Sequence, residues 1–297
     1  MKNASKTVDT IQLQCGKHLL RLSERTHVMG ILNITPDSFY DGGRYFRTEE
    51  AVEHALQLES EGADLIDIGG ESTRPGAEEI DPEREMDRIL PVIEALRNRV
   101  RIPLSVDTRK ARVAEAALNA GAALINDVSG LAFDPAMAEV AARYHAPVVL
   151  MHMRGTPKDM QGQTEYSDLV GEVYRFFMER IRFAEHHGIQ RGNIVLDPGI
   201  GFAKKWEDNF VLLSHLHRFR QLGLGILVGV SRKTFIGKTL NLRESERLTG
   251  TIAAITAAVL YGAHIVRVHD VREAVEAVRI ADRFQRVQSH SRKQRAA

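Results

Sequence analysis

The feature that most constrains the fold is an alternation of short β-rich segments with longer amphipathic, alanine-rich segments, which repeats eight times. The helical pattern is clearest at residues 48–63, 109–122 and 272–284. Strand followed by helix, repeated in this way, predicts parallel pairing, and eight such units close a (β/α)8 barrel. We therefore expect an α/β protein with a TIM barrel, and a doubly wound open sheet is the alternative. The predicted strands cover residues 28–34, 64–69, 103–108, 123–128, 147–153, 193–198, 225–231 and 264–270.

The 297 residues are expected to form one domain. No linker, low-complexity run or break in composition divides the eight units, and barrels of about 200 to 250 residues routinely form a single domain. We assign residues 1–25 to an N-terminal extension, 26–287 to the barrel and 288–297 to a basic tail. Within the extension, IQLQ and HLLRL flank Cys15-Gly16-Lys17, a pattern that predicts a hairpin across the barrel floor.

Charge and cysteine content exclude several classes of protein. The chain has 40 basic and 39 acidic residues and a net charge of +1, so no nucleic-acid partner is expected. Cys15 is the single cysteine, which rules out an internal disulfide and fits a reducing compartment. The N-terminus lacks the apolar region of a signal peptide, and no segment is typical of a membrane span. We expect a cytoplasmic protein without membrane contact.

Nearly every predicted strand ends in a polar or charged side chain. In a barrel, these C-terminal strand ends surround the active site. Burying a polar group without a partner costs about 2–7 kcal/mol, so such a ring implies mutual pairing or a polar ligand. Taken alone, Asp67 is expected to cap the following helix, and His152 to be a structural histidine. The strand-end residues are Asn33, Asp67 with Glu71 and Thr73, Asp107, Asn126, His152, Asp197, Ser231 with Lys233, and Arg267 with His269.

The chemistry of these residues indicates two parts of a ligand. Asp107, Asn126 and Asp197 offer acceptors and one amide, which suit a flat heterocycle with adjacent N–H donors. Arg267 and His269 are two residues apart on one strand and face the same side. Barrels frequently bind phosphate with the loops after strands seven and eight, so we expect an anion near Arg267, His269 and the segment 231–233.

Other motifs carry less information. The first loop, residues 35–46, mixes aspartates, two glycines and Phe39, and we interpret it as a mobile lid. DPGIGF at residues 197–202 contains GxG but lacks the third glycine of a dinucleotide fingerprint. Cysteine and histidine residues show no zinc-ligand spacing. The sequence is compatible with a binding site for a hard cation, formed by Asn33, carboxylates and substrate phosphates.

The motifs together, from about Met29 to Val271, resemble those of the dihydropteroate synthases of folate biosynthesis. In chain order they are MGILNITPDSFYDGG, DIGGESTRPGA, SVDTRK, INDVSG, VVLMHMRGTPKDMQ, LDPGIGF, GVSRKTFIG and RVHDV. The resemblance implies condensation of 6-hydroxymethyl-7,8-dihydropterin diphosphate with 4-aminobenzoate, which gives 7,8-dihydropteroate and diphosphate. It also implies a (β/α)8 barrel, Mg²⁺ as cofactor, a homodimer, and sulfonamides as inhibitors.

The resemblance assigns roles to individual residues. Asp67 and Glu71 would brace their strand end, while glycine and proline stiffen the loop that follows. The implied catalytic residues are Asn33, which also holds Mg²⁺, with Lys233, Arg267 and His269. The pterin is placed against Asp107, Asn126, Asp197 and Lys233, and the diphosphate against Thr73, Arg267 and His269. The 4-aminobenzoate pocket is assigned to Phe39, Arg74, Pro75 and Phe202, with Thr234 at a position that is often serine in the family.

Two alternative functions use the same residues. A pterin-binding methyltransferase barrel also recognises the heterocycle with acidic and amide groups, but it has no obvious need for the TPDSF loop or the SRK segment. A non-catalytic pterin-binding barrel is the second alternative. Such a protein would be expected to lose the side chains that bind diphosphate. This chain keeps Asn33, Lys233, Arg267 and His269.

Overall fold

The chain folds into a closed barrel of eight parallel strands, preceded by a two-stranded antiparallel hairpin. The computed structural model describes residues 10–34, 44–74 and 76–296, except for the side chains of residues 44–47 and 288–296. The hairpin strands are β1 (Gln12–Cys15) and β2 (His18–Arg21). The barrel strands are β3 (His27–Asn33), β4 (Leu65–Gly69), β5 (Leu104–Asp107), β6 (Leu124–Asp127), β7 (Val148–Met151), β8 (Ile194–Asp197), β9 (Gly225–Gly229) and β10 (Ile265–Val268).

Helices follow every barrel strand, and two strands are followed by two helices each. The first such pair lies after β8 and the second after β9. The helices are α1 (Arg44–Ser60), α2 (Pro82–Leu96), α3 (Ala111–Ala120), α4 (Met137–Arg143), α5 (Leu169–His186), α6 (Asp208–Ser214), α7 (Leu216–Arg220), α8 (Thr234–Leu240), α9 (Leu248–Tyr261) and α10 (Val271–Ala296).

The predicted fold is confirmed, and all eight strands lie within two residues of their predicted ends. The backbone of α10 continues as a helix through Ala296, into the segment predicted as a basic tail. Arginine, lysine, glutamine and alanine are good helix formers, so the basic sequence extends the helix. No helix in the described ranges is both long enough and apolar enough to cross a membrane.

The lower half of the barrel interior is apolar and is closed by the hairpin. Leu13, Cys15 and Leu20 of the hairpin are buried against it. Leu22, which follows β2, approaches Gly225 so closely that a Cβ there would lie 2.7 Å from the leucine Cδ1. The apolar residues that the barrel strands contribute are Met29, Leu65, Leu124, Val149, Val195, Leu227 and Ile265.

Side chains alternate along a strand, so residues two and four positions further on face the same interior. On β4 this rule places Asp67 and Gly69 above Leu65, and on β10 it places Arg267 above Ile265. The barrel interior is therefore apolar at its floor and polar at the C-terminal ends of its strands. The outward faces of the strands pack against the helices in a separate apolar layer.

Candidate functional site

Three of the predicted site residues lie in one row across four neighbouring strands. Asn33 on β3 pairs with Gly69 on β4. Gly69 also pairs with Asp107 on β5, which pairs with Asn126 on β6. A Cβ atom at Gly69 would contact Asp107 Cβ at 3.5 Å and Asn33 Oδ1 at 3.6 Å. Glycine therefore leaves room at the centre of the row.

Asp67, two residues before Gly69, is the centre of the hydrogen-bond network. Its fully buried Oδ1 accepts from Ser105 Oγ at 2.6 Å. Its Oδ2 accepts from Asn126 Nδ2 at 2.8 Å and from Arg267 Nε at 2.6 Å. The expectation that Asp67 caps the following helix is wrong, because its side chain lies inside the barrel and bonds to three other strands. There it orients the amide of Asn126 and the guanidinium of Arg267.

Arg267 lies between two carboxylates. Besides its bond to Asp67, it donates from Nη2 to Asp107 Oδ2 at 2.8 Å. The other oxygen of Asp107, Oδ1, is buried and has no hydrogen-bond partner within the described residues. Burial raises the pKa of Asp107, and the charge of Arg267 opposes this rise. Asp107 thus retains one acceptor atom for a ligand.

Asp197 shapes the loop that follows β8. Its Oδ1 accepts a hydrogen bond from the backbone N–H of Gly199 at 2.8 Å. Gly199 has a φ of 71°, and a Cβ there would lie 2.0 Å from the carbonyl oxygen of His152. The glycine of this GxG motif therefore serves a tight turn. Burial raises the pKa of Asp197 to about 6, so the carboxylate is an acceptor at neutral pH.

Lys233, which follows β9, contacts the same loop. Its Nζ donates to the carbonyl of Ile200 at 2.6 Å and lies 4.1 Å from the centroid of the Phe202 ring. Its aliphatic stem packs on Gly201, where a Cβ would lie 3.0 Å from the lysine Cδ. Burial lowers the pKa of Lys233 to about 8, and the charge of Asp197 opposes this fall. Lys233 is therefore mostly protonated at neutral pH.

His269 is held by Ser231. The backbone N–H of His269 donates to Ser231 Oγ at 3.2 Å, and the imidazole Nδ1 lies 2.9 Å from the same oxygen. Burial and then the charge of Arg267 lower the pKa of His269 to about 4, so the ring is neutral near pH 7. Arg232, which the sequence placed near an anion site, instead pairs with Asp270 through its Nε at 3.0 Å.

A buried ion cluster supports the loop after β4. Lys110 contacts the carboxylates of both Glu71 and Glu85, and its distance to Glu85 is 2.7 Å. Arg109 donates to Glu71 Oε1 at 3.1 Å. This agrees with the expectation that Glu71 braces the strand end, and it fixes the start of the segment that carries Thr73.

Comparisons with known proteins identify the family of this chain. Residues 29–269 match the model of a family described as pterin binding enzyme. The dihydropteroate synthase of Synechocystis is 48% identical over 271 residues, which cover 91% of this chain and 94% of the relative. The dihydropteroate synthase of Escherichia coli is 48% identical over 256 residues, covering 86% and 90%.

The chain belongs to the dihydropteroate synthase family.

Solved structures of the synthase family agree with this assignment. The Xanthomonas albilineans dihydropteroate synthase with 4-aminobenzoic acid superposes with a TM-score of 0.87 at 46% identity, covering 94% of this chain and 98% of that one. The Yersinia pestis enzyme in a sulfonamide drug complex gives a TM-score of 0.87 at 46% identity, covering 92% and 99%.

The structure brings together Asp107, Asn126, Asp197 and Lys233, which the synthase motifs assign to the pterin. Thr234 is the exposed first residue of α8. Arg74 lies on an exposed loop, where its Nη2 donates to Glu244 at 3.0 Å. Phe39 and Pro75 lie outside the described residues.

Sequence reasoning placed Asp67 among the polar strand ends but did not predict that it bonds to Asn126 and Arg267. A signal was available, because Asp67 shares the strand face of Gly69, whose neighbours on the adjacent strands are Asn33 and Asp107. It also missed Lys204, a buried lysine beside the loop of Phe202. Nothing in the sequence distinguishes Lys204 from the exposed Lys205 that follows it.

We predict that Asp67→Asn lowers the free energy of unfolding by about 3 kcal/mol, because Arg267 then loses one of two buried charged partners. The change also turns an acceptor into a donor toward Asn126. Urea denaturation measures the effect. The control is Glu244→Gln, which breaks the exposed pair with Arg74 and should cost less than about 1 kcal/mol. Equal stability of Asp67→Asn and the unaltered chain would contradict the central role of Asp67.

Proposed function

We propose that the chain condenses 6-hydroxymethyl-7,8-dihydropterin diphosphate with 4-aminobenzoate to give 7,8-dihydropteroate and diphosphate. The observation that carries this proposal is a buried set of acceptors, Asp107 and Asp197, beside the cationic group of Arg267. The acceptors suit a heterocycle rich in N–H donors, and the cation suits an anionic leaving group. Membership of the dihydropteroate synthase family supports the assignment of both the heterocycle and the anionic leaving group.

The pterin is recognised by groups that lack a complete set of partners within the protein. Asp107 Oδ1 is buried without a hydrogen-bond partner among the described residues, and a ring N–H would satisfy it. An unsatisfied buried group of this kind costs about 1–3 kcal/mol, which ligand binding would recover. Asn126 is oriented by Asp67, and Asp197 by its loop, so the recognition groups need little rearrangement.

The diphosphate is assigned to Thr73, Arg267 and His269. Ser231 Oγ accepts from the backbone N–H of His269, which leaves the hydroxyl proton free to donate to Nδ1. That network assigns the ring proton to Nε2, which can then donate to a phosphate oxygen. A neutral imidazole donor and the Arg267 guanidinium together stabilise negative charge that develops on the leaving group.

Mg²⁺ is proposed to bind at Asn33 together with oxygens of the substrate diphosphate. The side-chain oxygen of Asn33 is a hard donor at a strand end, in the same row as Asp107. Mg²⁺ is commonly held by one or two protein oxygens and substrate phosphates, so this donor set fits the ion. When bound, the ion neutralises charge on the diphosphate.

The 4-aminobenzoate pocket is proposed to include Phe202 and Thr234, with Phe39, Arg74 and Pro75 assigned from the family motifs. Phe202 presents its ring beside Lys233, at the edge of the pterin site. Thr234 opens α8 and offers a hydroxyl for the carboxylate. On this proposal, the second substrate lies between the loop after β8 and the loop after β9.

The reaction needs no covalent intermediate with the protein. The methylene–oxygen bond breaks, its electron pair leaves with the diphosphate, and the electron-rich dihydropterin stabilises the cationic methylene. The lone pair of the aryl amine then forms the C–N bond, and the nitrogen loses one proton. The protein holds the pterin, neutralises the leaving group with Arg267 and His269, and excludes water that would capture the cation.

The deciding experiment is an assay of the purified chain that measures both products. We expect one diphosphate per dihydropteroate formed, loss of turnover on chelation of divalent cations, and recovery with Mg²⁺. Asn33→Ala should need a higher Mg²⁺ concentration for half-maximal turnover. Pterin binding without turnover would instead identify a non-catalytic barrel, and methyl transfer without diphosphate release would identify the methyltransferase alternative.

Sulfonamides are expected to inhibit competitively with 4-aminobenzoate, because they combine an aryl amine with a sulfonyl group in place of the carboxylate. The methyl group of Thr234 adds bulk at the carboxylate end, so Thr234→Ser should tighten binding only modestly. A steady-state series with varied 4-aminobenzoate measures both effects. Inhibition that persists undiminished as 4-aminobenzoate rises would contradict a shared pocket.

A homodimer is also proposed, through an apolar patch on α9 and α10. The patch consists of Leu260, Tyr261, Ile280, Phe284 and Val287, which are between 41% and 67% exposed. Residues 280, 284 and 287 lie on one helix face, and α9 packs beside α10. Exposed apolar patches of this kind mark interaction surfaces.

Light scattering tests the dimer. The unaltered chain should have twice the mass of the 33.2 kDa protomer, and Phe284→Glu should shift it toward one protomer. Leu19→Glu is the control, since Leu19 is 43% exposed on the hairpin and lies outside the patch. An unaltered chain that stays monomeric at high concentration overturns the proposal.

The cytoplasm is the proposed location, supported by the single cysteine and the balanced charge. Cell fractionation with an antibody against the chain tests it, and recovery in a membrane or secreted fraction would refute it.

A further inference from the structure

Four consecutive backbone carbonyls in the loop after β8 each accept a hydrogen bond from a different side chain. The donors come from the segment after β7, from this loop itself and from the loop after β9. Ile200 accepts from Lys233 Nζ at 2.6 Å, Gly201 from Gln161 Nε2 at 3.2 Å, Phe202 from Lys204 Nζ at 2.7 Å, and Ala203 from Tyr166 Oη at 2.9 Å.

This arrangement fixes a loop that has no regular secondary structure of its own. Loop carbonyls usually face water, whereas these accept hydrogen bonds from side chains, of which Lys204 is buried and Gln161 is exposed. Gly199 and Gly201 have φ values of 71° and 82°, so the backbone makes two turns that a side chain would strain. The loop is therefore held in one conformation between Asp197 and Lys204.

Lys204 is the most buried of the four donors, with 4% of its surface exposed. Its Nζ also lies 3.0 Å from His152 Nδ1 and 5.6 Å from the centroid of the Tyr166 ring. Burial lowers the pKa of Lys204 to about 7, and burial with the lysine charge lowers that of His152 to about 2. His152 is therefore neutral, and its Nδ1 accepts from the lysine.

We propose that Lys204 is a positioning residue for the second substrate, because it holds the Phe202 carbonyl and thereby sets where the Phe202 ring lies in the 4-aminobenzoate pocket. This inference rests on the function proposed above. Two lysine side chains act on Phe202 in different ways, since Lys204 holds its backbone carbonyl and Lys233 contacts its ring. Lys204 approaches the end of β7 through His152, so the position of Phe202 is tied to the barrel itself.

A pair of variants of equal length separates hydrogen bonding from packing. Lys204→Met keeps the unbranched apolar stem and removes the donor, whereas Lys204→Gln keeps a donor. A buried charge can be replaced by an apolar residue of similar volume without loss of folding, and the melting temperature checks this. Lys205→Met is the matched control, because Lys205 is exposed and its ammonium group pairs only with Glu165 among the described residues.

We expect Lys204→Met to raise the KM for 4-aminobenzoate about tenfold, as loss of the hydrogen bond to the Phe202 carbonyl predicts. The sulfonamide inhibition constant should rise in parallel, while the KM for the pterin diphosphate should change less than about twofold, because Asp107 and Asn126 are untouched. Lys204→Gln should restore part of the loss, and Lys205→Met should match the unaltered chain.

The inference is overturned if Lys204→Met raises both KM values equally, leaves the KM for 4-aminobenzoate unchanged, or behaves as Lys204→Gln does. Failure of the unaltered chain to form dihydropteroate would refute the proposed function instead. Turnover of the unaltered chain therefore distinguishes failure of the inference about Lys204 from failure of the proposed function.

Discussion

The site depends on one charged group, the guanidinium of Arg267, which lies between the buried carboxylates of Asp67 and Asp107. A cation in a barrel interior is stable only with such partners, because a buried charge loses its hydration. The two carboxylates come from β4 and β5, whereas Arg267 comes from β10, so the ion pairs join strands from opposite ends of the chain. Asn126 then takes its orientation from Asp67. Asp107 and Asn126, assigned to the heterocycle, and Arg267, assigned to the leaving group, are thereby held in one connected network.

This polar network is compatible with folding because the barrel interior below it is apolar. The inner residues of the lower strands are hydrophobic, and the hairpin closes the barrel below them with Leu13 and Cys15. Burial there removes water from one end of the barrel, so the polar groups above face a single opening. Desolvation raises the pKa of Asp197 and lowers that of Lys233, although each group is electrostatically stabilised by the other. Both charges are therefore preorganised before a ligand binds, which is the condition for effective electrostatic catalysis.

The period of the hydrophobic pattern was sufficient to predict the barrel and its strands, because each strand is buried on both faces and each helix on one. It was also sufficient to place Asp107, Asn126 and Arg267 at the strand ends, since the barrel topology brings those ends together. It did not predict the role of Asp67, because a carboxylate inside a strand has partners only on other strands. Nor did it distinguish Lys204 from Lys205, since burial of one and exposure of the other depends on how the loop after β8 folds back toward His152. Side-chain contacts between distant segments are not encoded in local periodicity.

The loop after β8 shows why the two substrates place different demands on the protein. The side chains proposed to bind the heterocycle are carboxylates and an amide on strands or at their ends, whose positions vary little because the barrel fixes them. Phe202, by contrast, lies on irregular backbone, and irregular backbone is precise only if its polar groups are satisfied. Side-chain donors on four successive carbonyls supply that precision here. Lys233 belongs to both sets, since it contacts the loop while its charge interacts with Asp197. A change that moves Lys233 therefore also removes the hydrogen bond to the carbonyl of Ile200, in the loop that carries Phe202.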